Sequence, residues 1–302
     1  MVSVVAMTHR ILVAVDLSDE SIAALKTARA LADARGATLA VVHVLASMGD
    51  VQPFFPQSYG INATNLLELE RLAGEALERR VAEVAGCSDV ERFVELGAPY
   101  AEIVRRAEAW NADLVVIGSR GRTGISRAML GSVAEHVVRA AHCPVLVARP
   151  ARGSGVVMAA TDLSDPSLPA VARAAEEARL RGARLVVMHA MERSLAAYGA
   201  GAAALLGNVA PSPTAEDHEQ MRSSLVTLLG DAMRRFGAEG EALVLDGGAV
   251  ASVVRAVEEQ NADLLVVGSH GRTGLSRLLL GSVAEKLVRL ADCSVLVVRK
   301  AA

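Results

Sequence analysis

The sequence predicts an α/β fold of two tandem doubly wound domains, residues 1–150 and 151–302. Each is expected to be a five-stranded parallel sheet in the order 3-2-1-4-5 with helices on both faces. Three observations carry this expectation. Residues 111–149 and 261–299 match at 27 of 39 positions without a gap, at a constant offset of 150, and a repeat that long marks two copies of a domain rather than a short-period solenoid. In each half, short apolar runs alternate with runs of helical period, and right-handed crossovers turn that alternation into a parallel sheet. At 302 residues the chain is also long enough for two domains of ordinary size.

In the first half, residues 10–16 (RILVAVD) form an apolar strand closing in Asp16. Ser18 then caps a helix in which Ile22, Leu25, Ala28 and Ala32 recur at helical spacing, and Gly36 stops it. Residues 38–45 are the second strand, rich in β-branched side chains. Residues 46–60 hold Gly, Pro and three aromatics and read as a loop or lid. An amphipathic helix follows over residues 65–85, with Leu66, Leu69, Ala73, Leu77, Val81 and Val84 as its buried stripe. A strand at 90–95, a helix at 99–110, a strand at 113–118, a helix at 132–141 and a strand at 145–148 complete the unit. The second half repeats the order, with strands at 156–162, 185–190, 242–245, 264–268 and 295–298. Its helices follow Ser164, span 216–236 and 250–260, and start again at Ser282. Residues 150–155 are the linker, and 192–215 replace the first lid with unrelated sequence.

Composition narrows the function. Hydrophobic residues make up 52% of the chain but aromatics only 3%, so the core must be built from Ala, Val and Leu, as suits buried parallel strands under Ala-rich helices. A net charge of −3, without clustered Lys and Arg, argues against nucleic acid as a main partner. The first residues have no basic leader, and no apolar segment reaches the roughly 18 residues of a membrane span. A cytoplasmic protein with no membrane association is therefore expected. Cys87, Cys143 and Cys293 are odd in number and lack metal-ligand spacing, which favours small buried hydrophobes over redox or metal chemistry.

The repeat contains Gly-x2-Gly-x9-Gly-Ser, written by Gly118, Gly121, Gly131 and Ser132 and again by Gly268, Gly271, Gly281 and Ser282. The first glycine lets the strand end with no side chain over the crevice, and Gly121 can take the positive φ of a tight turn. Gly131 and Ser132 open a helix whose free N–H groups and dipole suit a polyphosphate. No Gly-Lys-Ser/Thr occurs, and the spacing is not that of the dinucleotide fingerprint. Arg120, Arg122 and Arg127, or His270, Arg272 and Arg277, either neutralise phosphates or are solvated loop charges.

In the 3-2-1-4-5 order, ligands bind beyond strands 1 and 4, where Asp16 and Gly118, or Asp162 and Gly268, fall. Both aspartates could make Asx turns, but their recurrence at the switch point favours a ligand role. His43 and His189 lie inside apolar strands and read as structural. His136 and His142 align with Lys286 and Asp292, which leaves no shared role. Ser132 and Ser282 suit a helix cap and a phosphate contact together.

The Gly-x2-Gly-x9-Gly-Ser pattern, the Asp closing strand 1, the His-Val after strand 2 and the CPVLV ending resemble the universal stress protein family in its ATP-binding branch. The resemblance covers both halves. It implies the adenine nucleotide alpha hydrolase-like fold and ATP with Mg2+ or Mn2+. Asp16 and Asp162 would contact the nucleoside and support metal or ribose binding, and the backbone of Val44 and Ala190 would meet adenine. The motif glycines and serines would hold the phosphates, with Val133 and Val283 adding a backbone N–H. Ala190 is a smaller contact than Val44, and the lids differ. The family habit of pairing through last strands implies an intrachain pseudo-dimer and leaves further pairing of chains open.

The first functional reading is a nucleotide-binding stress-response regulator or switch with two sites and little or slow hydrolysis. The second is a slow ATPase or phosphotransferase, which would need a positioned base or water-orienting group and a charge clamp. Glu135 and Glu285 recur, but on the helix, where they face solvent or support its first turn. The third is an interaction scaffold without nucleotide, which the intact motifs weigh against. A flavin-binding relative is disfavoured by the motif spacing.

Overall fold

The computed structural model describes residues 9–46, 63–85, 90–120, 130–191, 214–271 and 280–299. The chain separates into two compact units, cut between Pro150 and Ala151.

In the first unit, β1 (Arg10–Ala14), α1 (Asp19–Arg35), β2 (Thr38–Ala46), α2 (Ala63–Ala85) and β3 (Glu91–Gly97) are followed by α3 (Pro99–Ala109), β4 (Leu114–Gly118), α4 (Ser132–Ala140) and β5 (Val145–Ala148). The strands pair in parallel in the order β3-β2-β1-β4-β5. In the second unit, β6 (Val156–Ala160), α5 (Leu168–Arg181), β7 (Arg184–Met191), α6 (Ala215–Arg235) and β8 (Glu241–Asp246) precede α7 (Ala249–Glu259), β9 (Leu264–Gly268), α8 (Ser282–Leu290) and β10 (Ser294–Val298). Their parallel order, β8-β7-β6-β9-β10, repeats that of the first.

Leu12, Val13, Val115 and Val116 in one sheet, and Val157, Met158, Leu265 and Val266 in the other, are fully buried. Burial on both sides explains their continuous apolar sequence, since a strand covered by helices on both faces gains nothing from alternation. α1 packs with α2 and α3 with α4, and α5 with α6 and α7 with α8, so each sheet is sandwiched.

Local sequence accounts for most of the boundaries. Ser18 caps α1 by accepting from Ser21 N, and Gly36 and Gly182 end α1 and α5 at φ near 60°, where only glycine avoids strain. Thr214 and Asp217 close a reciprocal capping box on α6. Asp113 and Asp263, the last acids before β4 and β9, do a task the sequence did not reveal. Asp113 accepts from the N–H groups of His9 and Arg10 at 2.9 and 3.0 Å. Asp263 accepts from the N–H groups of Arg152, Gly153 and Gly155 at 2.7 to 2.8 Å and from the Ser154 hydroxyl. Partial burial pushes the Asp263 carboxyl up, but those donors outweigh it and hold the group below the usual carboxylate value.

Two expectations need correction. The apolar strands end at Ala14 and Ala160, leaving Asp16 and Asp162 just beyond them. In the α2 stripe, Ala73, Leu77 and Val81 are buried, but Leu69 is 46% exposed. The Leu66 side chain lies outside the described residues. The helix placed after Ser164 begins at Leu168.

Candidate functional site

Each aspartate sits in a turn that its own carboxylate builds. Ser18 N donates to Asp16 Oδ1 at 3.0 Å, and the Ser18 hydroxyl donates to the same oxygen. In the second unit, Ser164 N and its hydroxyl do the same to Asp162 Oδ1. The residue between, Leu17 or Leu163, is held at φ 66° or 61°. A leucine there costs on the order of 1–3 kcal/mol and persists only where its surroundings impose it. The repeated Asp-Leu-Ser triplet was the sequence signal for this turn. Ser21 and Ser167 buttress it from the far side, their hydroxyls donating to Ser18 O and Ser164 O at 2.9 Å.

The strand histidines are structural, as their apolar setting suggested. His43 Nδ1 lies 2.8 Å from Val15 O, and His189 Nδ1 lies 2.8 Å from Thr161 O. A carbonyl only accepts, so Nδ1 carries the proton in both. Each imidazole thereby ties the second strand to the backbone next to the aspartate. Register places the adenine-side candidates at the same sheet end. Val42 pairs with Ala14 and Met188 with Ala160, so Val44 and Ala190, both half-buried, lie level with Asp16 and Asp162.

The glycines face this turn. A Cβ on Gly271 would lie 2.5 Å from Asp162 Oδ2, closer than real Cβ atoms come. A Cβ on Gly268 would meet the backbone of Pro166 and Ser167 at 3.2–3.3 Å. Gly271 is not in the left-handed region, so its close approach to Asp162, rather than its φ, is what opposes a side chain there. Its counterpart Gly121 lies outside the described residues, as do Arg122, Arg127, Arg272, Arg277, Cys87 and all but the edges of the two lids.

Gly131 and Gly281 are the N-caps of α4 and α8, with extended backbones and no side-chain capping bond. Their N–H groups donate to Ser119 O and Ser269 O at 2.8 Å, which hangs each helix start beside the end of β4 or β9. The following N–H groups, of Ser132 and Val133 or Ser282 and Val283, open a helix that no side chain caps, the arrangement that attracts anions. Ser132 and Ser282 are exposed. Arg120 and His270 occupy the matching place just before the second glycine. Among the described residues, no group of three or more His, Cys, Asp or Glu is placed to hold a metal ion. Cys143 and Cys293 are buried thiols outside any disulfide, packing as small hydrophobes.

In the second unit a strand-end Asx turn, the described motif glycines and a glycine-capped helix thus meet at the winding reversal of a doubly wound sheet, and the first unit repeats the Asx turn and the capped helix. The chain belongs to the universal stress protein family, whose sequence pattern matches residues 7–149 and 154–299. A universal stress protein of Mycolicibacterium smegmatis is 31% identical over 312 residues, 97% of this chain and 98% of its own. One from Methanocaldococcus jannaschii is 37% identical over 142 residues, 46% of this chain and 81% of its own, as for a single domain. The solved structure of a universal stress protein from Archaeoglobus fulgidus shares the fold, with a TM-score of 0.65 at 20% identity and 96% of each chain covered. Among the described residues, no helix is long and apolar enough to cross a membrane.

Proposed function

We propose that each domain binds one ATP with Mg2+ or Mn2+, and that this tandem universal stress protein works in the cytoplasm as a nucleotide-dependent stress-response switch with little or slow hydrolysis. The observation that carries the reading is the approach of Asp162 to Gly271. A carboxylate committed by one oxygen to its own turn lies against Gly271, where a Cβ would come within 2.5 Å of its other oxygen, so strand end and loop are held together at the winding reversal. In this reading Asp16 and Asp162 meet the nucleoside, and the backbone of Val44 and Ala190 meets adenine. Gly118, Gly121, Gly131, Ser132 and Val133, with Gly268, Gly271, Gly281, Ser282 and Val283, hold the phosphates. The cation travels with the phosphates and offsets their charge.

The reading of slow turnover is supported by one recurrent acid at the helix start. Glu135 forms an ion pair with Arg139 one turn along α4, at 3.4 Å, a use that does not orient an attacking water. The two domains are taken as the intrachain counterpart of a homodimer. Purified protein is to be denatured, its released nucleotide identified by chromatography and counted per chain, and ATP with Mg2+ titrated by calorimetry. Two nucleotides per chain are expected. No released nucleotide together with no calorimetric binding would overturn the reading.

A further inference from the structure

The bond made by each strand histidine takes the place of a rung of the sheet. Val15 N donates to Val42 O and Thr161 N to Met188 O, both at 3.0 Å, one residue past the ends of β1 and β6. In a parallel ladder the next rung would run back from Val44 N to Val15 O and from Ala190 N to Thr161 O. Among the described residues neither rung forms. The two carbonyls accept instead from His43 Nδ1 and His189 Nδ1 at 2.8 Å.

Backbone groups of successive strand residues turn to opposite neighbours, so Val44 and Ala190 direct both N–H and C=O to the same side as Val42 and Met188, toward β1 or β6. Those strands have ended at that level, and the turn of Asp16 or Asp162 follows them. A donor and an acceptor therefore stand side by side at the open end of the sheet in each unit. The surroundings differ between the units. Val15 is apolar, whereas the Thr161 hydroxyl pairs with Ser167 Oγ at 2.7 Å and accepts from Leu163 N at 3.0 Å. The imidazole on the carbonyl is what both units keep.

We propose that His43 and His189 are positioning residues for the base of the bound nucleotide, each occupying the carbonyl ahead of the aspartate so that the N–H of Val44 or Ala190 stays open. This rests on the reading of both sites as ATP sites. Adenine presents a ring-nitrogen acceptor beside an amino donor, the complement of an N–H beside a C=O. Without the imidazole, the buried residue's carbonyl would lack a donor, and the N–H one rung on would supply it. The sheet would then close one residue further and consume the donor that the base needs.

Amide hydrogen exchange and ATP calorimetry on the full chain test this at the second site, where His189 is half-buried while His43 is buried. In His189→Leu, which has no donor, the Ala190 N–H should exchange roughly tenfold more slowly than in the unaltered chain without nucleotide. One of the two ATP sites should weaken by roughly tenfold, the scale of one hydrogen bond, while the other holds. His189→Asn, whose side-chain amide stands near the place of Nδ1 and donates, should restore both values. A histidine that only ties strands together would give the opposite sign, with faster exchange at Ala190 and Met188 together, and that result overturns the inference. Two ATP sites of unchanged affinity in His189→Leu overturn it as well. If His189→Leu does not fold, the unaltered chain gives the answer. Without nucleotide, Val44 and Ala190 should exchange ahead of Val42 and Met188, and ATP should slow them; amides as slow as Val42 and Met188 from the outset overturn the inference. An unaltered chain that binds no ATP overturns the underlying reading instead.

Discussion

After the first strand, Asp16-Leu17-Ser18 leads directly into α1, whereas Asp162-Leu163-Ser164 is followed by Asp165, Pro166 and Ser167 before α5 begins. Ser164 O already accepts from the N–H groups of Ser167 and Leu168, but Pro169 has no N–H to give to Asp165 O, so the regular ladder begins later. The aspartate turn is nevertheless the same in both units, down to a left-handed leucine and a buttressing serine. The turn is therefore set by the Asp-Leu-Ser triplet and not by the helix behind it. The helices diverge in charge as well. Arg173 and Glu177, at most 3% exposed and ion-paired at 3.3 Å, stand in α5 where α1 has Thr27 and Leu31.

This contrast between a shared frame and divergent linings can be broken in order of effect. Gly271→Phe should remove one of the two nucleotides per chain, because its Cβ alone would collide with Asp162; retention of two by chromatographic count would detach the glycine from the site. Glu177→Ala removes one of the two carboxylates paired with the buried Arg173 guanidinium, leaving Glu176, and should cost about 1–3 kcal/mol in urea unfolding, whereas Leu31→Ala at the matching place opens an apolar cavity and should cost about 2–5 kcal/mol.

Alanine at the two helix caps is a finer probe. A Cβ at Gly281 would meet Ser269 O at 3.2 Å, but at Gly131 it would meet Ser119 O at an ordinary 3.6 Å. Gly281→Ala should therefore lower stability and ATP affinity more than Gly131→Ala, each thermal shift adding to a capping loss of about 1 kcal/mol. At the strained leucines, Leu163→Gly should be about 1 kcal/mol more stable than Leu163→Ala, since both delete the side chain but only glycine relieves the left-handed backbone. The same difference is expected at Leu17.

The smallest effect lies at the entry to each first strand. Asp263 has a depressed carboxyl, so the stability it contributes is present above the ordinary aspartate value and is lost as pH falls through the lower folded value. Asp263→Asn should lower the melting temperature at neutral pH, and the gap from the parent should close as pH falls from about 4 toward 2. Asp113→Asn, which takes the charge from an acceptor of two N–H groups rather than of three N–H groups and a hydroxyl, should lower it less.

Most strands and helices could be read from the chain because continuous apolar runs, helical spacing and terminal glycines are local signals. The misplaced features were those set by distant neighbours. Leu69 fits the α2 stripe by spacing, yet it stays 46% exposed while Ala73, one turn later, is buried. Asp16 and Asp162 looked like strand ends because an apolar run does not reveal where its neighbour stops pairing. The strand histidines were placed correctly by their apolar context, but only the folded chain identified the carbonyls they hold.

The sequence by itself determined that the chain carries two copies of one doubly wound domain, each with a glycine-capped helix, because those properties follow from repeat length, period and local backbone preference. Tertiary structure alone decided why Gly271 must be glycine. That depends on how closely Asp162, beyond β6, approaches a loop far away in the chain, and no local preference encodes that distance.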